Sequence, residues 1–387
     1  MKKILILILS LIFIASMVFM GIGCKEEAAP TEEAAEEEAA PAEEAEEEME
    51  EEVSFEGREL EFWYAWVEGS FMDEYFRNLV ADYEATRGVS VKIVNMQRDL
   101  ASSFRPALLE GTLPDVIDQH IIEQFPVIIK EGNALELSDF FQEKAWDQDA
   151  TIEEIIFPGQ LDIWPLEEGS RYYIPWTVMT SGFFYNKTDF EARGLTAPDN
   201  WDDLVSIFEA YEADGIAPIS QDGGVDFYNA YYYYWFAARA AGSGVLNDAA
   251  LDETAESWDN PDLLKAAEWV YKIGKGGDNY FIDDFDAYVW PGGQVDWATG
   301  KAAFILVGNW VMSETKDKIS PDWKYGFIPF PNVSGGKGAI TDVEAHPFGF
   351  VIPKDAENAD VAKDFSKFAL SMKWQKELLN IPYIPVI

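Results

Sequence analysis

The chain has 387 residues, with 28 Lys and Arg against 71 Asp and Glu, for a net charge of −43. A protein this acidic lacks the basic face that phosphate backbones require, so nucleic acid is not an expected partner, and contact with anionic lipid headgroups is disfavoured for the same reason. A single cysteine, Cys24, excludes an internal disulfide.

Lys2 and Lys3 precede an apolar run from Ile4 to Ile22, which ends in Met20-Gly21-Ile22-Gly23-Cys24. A basic start, an apolar stretch and small residues before a cut site predict a secretory signal over residues 1–23. A cysteine directly after the small residue resembles a bacterial lipobox, although Gly21 stands where Leu is usual. That resemblance implies that Cys24 becomes a lipidated N-terminus. The alternative is an uncleaved anchor, because a run of this length can just span a bilayer. Both readings put the remainder outside the cytoplasm. Lys25 to Glu52 follows, with 15 Glu against one Lys and most of the rest Ala and Pro. It has too little apolar surface to order itself, and its like charges extend it. Residues 24–52 are therefore expected to be a lipid-anchored, disordered spacer; the other reading is an acidic interaction tail.

Residues 53–387 keep a net charge of −31. They exceed what one core usually holds, which predicts two lobes. Glu59 to Trp66 reads as a strand running into a loop. Phe71, Tyr75, Leu79 and Tyr83 at every fourth position predict a helix over 71–87, stopped by Gly88. Val89 to Val94 alternates as a second strand, 103–110 reads as a helix closed by Gly111, and Pro114 to Ile117 starts a third strand. Strand–helix–strand–helix–strand predicts an α/β fold with a parallel sheet, whose ligands sit beyond the C-terminal strand ends. Trp66 and Asp118-Gln119-His120 fall there. No GxGxxG or Walker pattern follows these strands, so no nucleotide cofactor is expected.

The order of these pieces resembles family 1 of the extracellular solute-binding proteins, the maltose-binding type of ABC importers. The resemblance rests on the strand ending in Trp66, Asp82-Tyr83-Glu84 in the helix, and Leu108-Leu109-Glu110-Gly111 before Pro114-Asp115-Val116. It continues through Tyr173-Ile174-Pro175, Tyr185-Asn186-Lys187, Pro198 to Leu204, Phe304 to Trp310 with Gly308, Gly326 to Pro331, and Ala359 to Met372. It implies a two-lobed periplasmic-binding-protein fold of type II, in which each lobe has a central sheet flanked by helices and the lobes close like a hinge. Crossovers are expected near 170–175, 346–349 and 383–387. Residues 53–172 and 347–382 then form lobe 1, and 173–346 and 383–387 form lobe 2, with a C-terminal part of lobe 2 expected to be absent. The implied function is capture of a sugar and its delivery to a membrane permease by a monomer, without catalysis.

Sugars present hydroxyl groups around an apolar face, so a site for them needs flat aromatic walls with polar groups between. The resemblance implies that Trp310 stacks on a sugar ring. Trp66 and Trp176 are further aromatic candidates; either could equally be core. In the run from Phe227 to Phe236, helical spacing puts Tyr228, Tyr232 and Trp235 on one face. Tyr232, Trp235 and Asn229 are candidates there, against packing roles for the rings and a helix cap for Asn229. Gln119, His120, Asp342 and His346 are the polar candidates. Two separated histidines without a ligand motif assign no metal. Two rival functions remain. A glycan-active enzyme would need two carboxyls at a set separation, and neither a GxSxG elbow nor HExxH is present. A cationic solute such as a polyamine would suit the acidic surface and aromatic rings.

Overall fold

The computed structural model describes residues 54–161, 170–274, 276–381 and 383–387. The expected signal, Cys24 and the whole acidic spacer lie outside the described residues. Among the described residues, ten strands form two sheets. The first has six strands in the order β10-β4-β9-β3-β1-β2, where β1 is Glu59–Tyr64, β2 Ser90–Asn95, β3 Val116–His120, β4 Ile174–Met179, β9 His346–Val351 and β10 Ile384–Pro385. The second has four in the order β6-β7-β5-β8, where β5 is Ser181–Asn186, β6 Ala217–Ser220, β7 Ala302–Gly308 and β8 Tyr325–Ile328.

The expected parallel arrangement holds for β2, β1 and β3. The strands returning from later in the chain, β9, β4 and β10, run antiparallel to their neighbours. Side chains of the first sheet alternate between two cores. Phe62, Tyr64, Trp176 and Phe350 enter one, while Trp63, Ile117 and Val351 enter the other. The second sheet carries a separate core around Phe183, Phe304, Trp235 and Phe330.

The helix Phe71–Arg87 forms where its spacing predicts. Ser70 caps it by accepting from Asp73 N–H, Asp73 and Glu74 sit in its first turn, and Gly88 ends it at φ 68°. The next helix, Leu100–Glu110, starts earlier than expected, after a single turn of 3-10 helix over Gln97–Asp99.

The change of lobe also differs from expectation. Ile174–Met179 is hydrogen-bonded to β9 in the first sheet, so the boundary expected after residue 172 falls one strand too early. One residue, Thr180, separates β4 from β5 of the second sheet. Its N–H donates to Asn309 Oδ1 (3.4 Å) and its carbonyl accepts from Asn309 N–H (3.1 Å). The return crossing comes just before β9, at Glu344-Ala345, because His346 already pairs with Met179. Ile384–Pro385 pairs with β4, so residues 383–387 belong with lobe 1 and not lobe 2.

Candidate functional site

The C-terminal ends of β1 and β3 and the start of β9 face lobe 2 with a continuous series of rings. Trp66 is partly exposed and lies 4.9 Å from Phe348, centroid to centroid. Phe348 is 5.2 Å from His120, and His120 is 5.2 Å from His346. His346 is 6.0 Å from Tyr231 and 6.3 Å from Trp310, both from lobe 2. Trp310 continues to Tyr228 at 6.3 Å and to the exposed Phe227 at 6.5 Å. Trp310 packs against the cores of both lobes, so the ring series crosses the joint.

Local sequence explains each position. The apolar strand β7 ends at Gly308, and the Trp310 ring folds back over that glycine. A Cβ on Gly308 would stand 2.0 Å from Trp310 Cζ3, so only glycine leaves room for the ring. The indole Nε1–H donates to Tyr228 Oη at 3.0 Å, which fixes the ring plane. Trp66 is fixed in the same way from lobe 1. Its Nε1–H donates to Asp118 Oδ2 at 2.7 Å, and Trp176 Nε1–H donates to Oδ1 of the same carboxylate at 2.6 Å. Burial pushes the Asp118 carboxyl up to about 7, against the two indole hydrogen bonds, which favour its ionised form. Two residues on, burial and then the neighbouring His346 depress the His120 imidazole to about 3.

The structure gathers Trp66, Gln119, His120, His346 and Trp310 along this belt. Gln119 is only partly available, because its Oε1 turns back to accept His120 N–H at 2.8 Å. It does not gather the others. Trp176 is fully buried, stacked 5.6 Å from Tyr75 in the lobe 1 core, and cannot be a wall of an open site. Tyr232 is buried against Phe281, and Trp235 is buried and stacked on Phe330. Asn229 is exposed and donates to Gly223 O at 2.8 Å, which ties the first turn of the helix Asp226–Ala241 to the preceding loop. Asp342 accepts from Ser243 Oγ–H (2.7 Å) and Ala339 N–H (2.9 Å), which makes it a loop brace.

Sequence reasoning missed Phe348, which had a signal, since it stands two residues from His346 and so shares its strand face. It placed Asp118 at the cleft edge but not its role, because nothing in a sequence pairs one carboxylate with two distant indoles.

The lobes also touch beside the belt. Phe71 N–H donates to Ser313 Oγ at 3.0 Å, and Lys316 Nζ donates to Gly69 O at 2.9 Å while covering the Phe71 ring at 4.5 Å. A surface cavity of about 250 Å³ on lobe 1, lined by Phe71, Tyr75, Lys373 and Trp374 among others, contains none of the expected site residues. Among the described residues, no group of three or more His, Cys, Asp or Glu is arranged to hold a metal ion, and no helix is long and apolar enough to cross a membrane.

A sequence profile described as bacterial extracellular solute-binding protein matches residues 69–376. The chain is similar to the multiple sugar-binding protein of Streptococcus mutans, 22% identical over 81% of this chain and 72% of that protein. It is also similar to the diacetylchitobiose binding protein of Streptomyces coelicolor, 23% identical over 83% of this chain and 69% of that protein. A solved structure from work on xylan utilization by the thermophilic bacterium Caldanaerobius polysaccharolyticus superimposes with a TM-score of 0.72 at 19% identity. It covers 85% of this chain and 82% of its own, and at that identity the likeness speaks for the fold alone.

Proposed function

Because the chain belongs to the bacterial extracellular solute-binding proteins, we propose that it captures a sugar or oligosaccharide between its lobes and passes it unchanged to the permease of an ABC importer. The observation that carries this reading is the aromatic belt from Trp66 to Trp310. Two partly exposed indoles, one fixed to each lobe by its own N–H, offer the flat apolar walls that sugar rings stack on. Sugar-binding names among the relatives support the same class of solute. Closure needs no chemistry. The solute favours the closed form only through the contacts that the second lobe adds.

A thermal-shift screen of the full-length protein against mono- and oligosaccharides and against polyamines tests the reading. A true solute at 100 times its Kd should raise stability by about 2.7 kcal/mol. Stabilisation by a sugar, with the sugar recovered intact, is expected. Stabilisation by spermidine alone would replace the sugar with a cation, to which the acidic surface is suited. Consumption of the sugar would make the protein an enzyme.

The family acts outside the cytoplasm, and we place this chain there as a lipoprotein monomer held through Cys24, with the acidic residues 25–52 as its tether. The cut-site pattern at Met20–Cys24 and the run of glutamates support this. Cell fractionation should find the wild type in membranes and Cys24→Ser released from them. Equal membrane retention of both would leave an uncleaved anchor as the tether.

A further inference from the structure

The chain has two histidines. They are 226 residues apart, and they meet: His346 Nδ1 lies 3.3 Å from His120 Nε2. The direction of each proton follows from the neighbours. Ile122 N–H points at His120 Nδ1 at 3.3 Å. A backbone N–H can only donate, so Nδ1 is bare and the proton of a neutral His120 is on Nε2. That proton is donated to His346 Nδ1, which leaves the His346 proton on Nε2. There it faces Glu344 Oε1 at 2.7 Å, a close contact whose angle falls short of a hydrogen bond. From the other side, Trp235 Nε1–H donates to Ser181 Oγ at 2.9 Å, and the Ser181 hydroxyl donates to Glu344 Oε2.

Two contacts therefore meet on one carboxylate, an apposed imidazole nitrogen at Oε1 and a hydrogen bond at Oε2. One comes from lobe 1, from the turn after β3 through both imidazoles. The other comes from lobe 2, from the helix Asp226–Ala241 through Ser181. Ser181 opens β5 directly after the first crossover, and Glu344 sits in the second. We propose that Glu344 is a positioning residue for solute capture, tying the two crossovers together and setting the angle between the aromatic helix of lobe 2 and the first sheet. The proposal rests on the reading that the lobes close on a solute.

The chemistry of the position explains why a carboxylate is needed. A carboxylate can take a hydroxyl donor on one oxygen and lie against an imidazole nitrogen with the other. An alanine leaves the Ser181 hydroxyl without its acceptor and removes the polar group that His346 lies against, whereas a glutamine keeps a polar group in reach of both. The same proton directions argue against a metal between the imidazoles. Ligation through His120 Nε2 would put a proton on Nδ1, against the Ile122 N–H.

Two measurements test this without any sugar. Long-range 1H–15N NMR of the full-length protein labelled on histidine has only two rings to assign. In the neutral form of each ring the proton should sit on Nε2, and a neutral ring with its proton on Nδ1 would overturn the relay. Solution scattering should then compare the wild type, Glu344→Ala and Glu344→Gln, each checked for cooperative unfolding. Glu344→Ala should shift the radius of gyration upward, while Glu344→Gln should restore it. Identical profiles for all three would sink the positioning role. A failed sugar screen would leave these results standing, so the two ideas fail separately.

Discussion

Replacing Trp310 by alanine should cost the protein on the order of 100-fold in affinity for its sugar, about 2.7 kcal/mol, while unfolding stays cooperative. The effect is large because the ring does two things. It offers its face to the solute, and it packs on the cores of both lobes. Trp310→Phe should recover part of the loss, since a flat face remains. Tyr228→Phe should cost less than Trp310→Ala, because it removes only the acceptor of the indole N–H. Calorimetric titration with the sugar that stabilises the wild type reads all three. Unchanged affinity in Trp310→Ala would take this ring out of the site and leave Trp66 as the main wall.

The second large effect concerns acid. Asp118 and His120 lie two residues apart on β3, and burial moves them in opposite directions. Asp118 holds its proton up to about 7 when folded, but gives it up near the ordinary carboxylate value of 3.8 when unfolded. It therefore contributes stability that is fully present below pH ~4 and lost as pH rises to about 7. That is at most ~4 kcal/mol, because each tenfold change in proton affinity is worth ~1.4 kcal/mol. His120 refuses a proton down to about 3 when folded, but takes one below 6.5 when unfolded. Its contribution is present above 6.5 and is lost as pH falls toward 3, by at most ~5 kcal/mol.

Between pH ~4 and 6.5 the two nearly cancel. Single variants should uncover each one. Asp118→Asn should melt at progressively lower temperature as pH falls from 6.5 to 4, relative to the wild type. His120→Gln should melt at progressively higher temperature over the same window. Other carboxylates titrate alike in all three proteins and drop out of the differences. Parallel melting curves against pH would mean that neither group titrates as its burial requires.

Much of the fold was legible because its signals are local. Phe71, Tyr75, Leu79 and Tyr83 repeat with the helix, and Ser70 and Gly88 bound it. Ordered motifs made two lobes readable, and Trp66 and Trp310 could be picked because each follows the end of a buried strand. The lobe boundary could not be read. Residues 174–186 form one extended run with no turn residue between β4 and β5, so nothing local marks where one sheet gives way to the other. The inner aromatics failed for a related reason. Trp176, Tyr232 and Trp235 look like Trp66 and Trp310 in a sequence, and only the packing of Tyr75, Phe281 and Phe330 over them decides that they are interior. The meeting of His120 with His346 depends on β9 returning to lie beside β3, and no neighbour in the chain announces it.

The single residue between β4 and β5 joins the two sheets with almost no slack. Val178 and Met179 still belong to the first core, and Phe183 and Phe184 already belong to the second. One residue added at that joint would have to fit between two strands whose registers are set by other neighbours. The length of the joint is therefore held more tightly than the identity of the residue that occupies it. The joint also has long leverage. For a lobe with a radius of gyration of roughly 15 Å, a turn of about 10° at Thr180 carries the far edge by about 5 Å. In the proposed closure, the backbone torsions of Thr180, held by Asn309, are the gear that would convert small local rotations into the stroke by which one half of the molecule approaches the other.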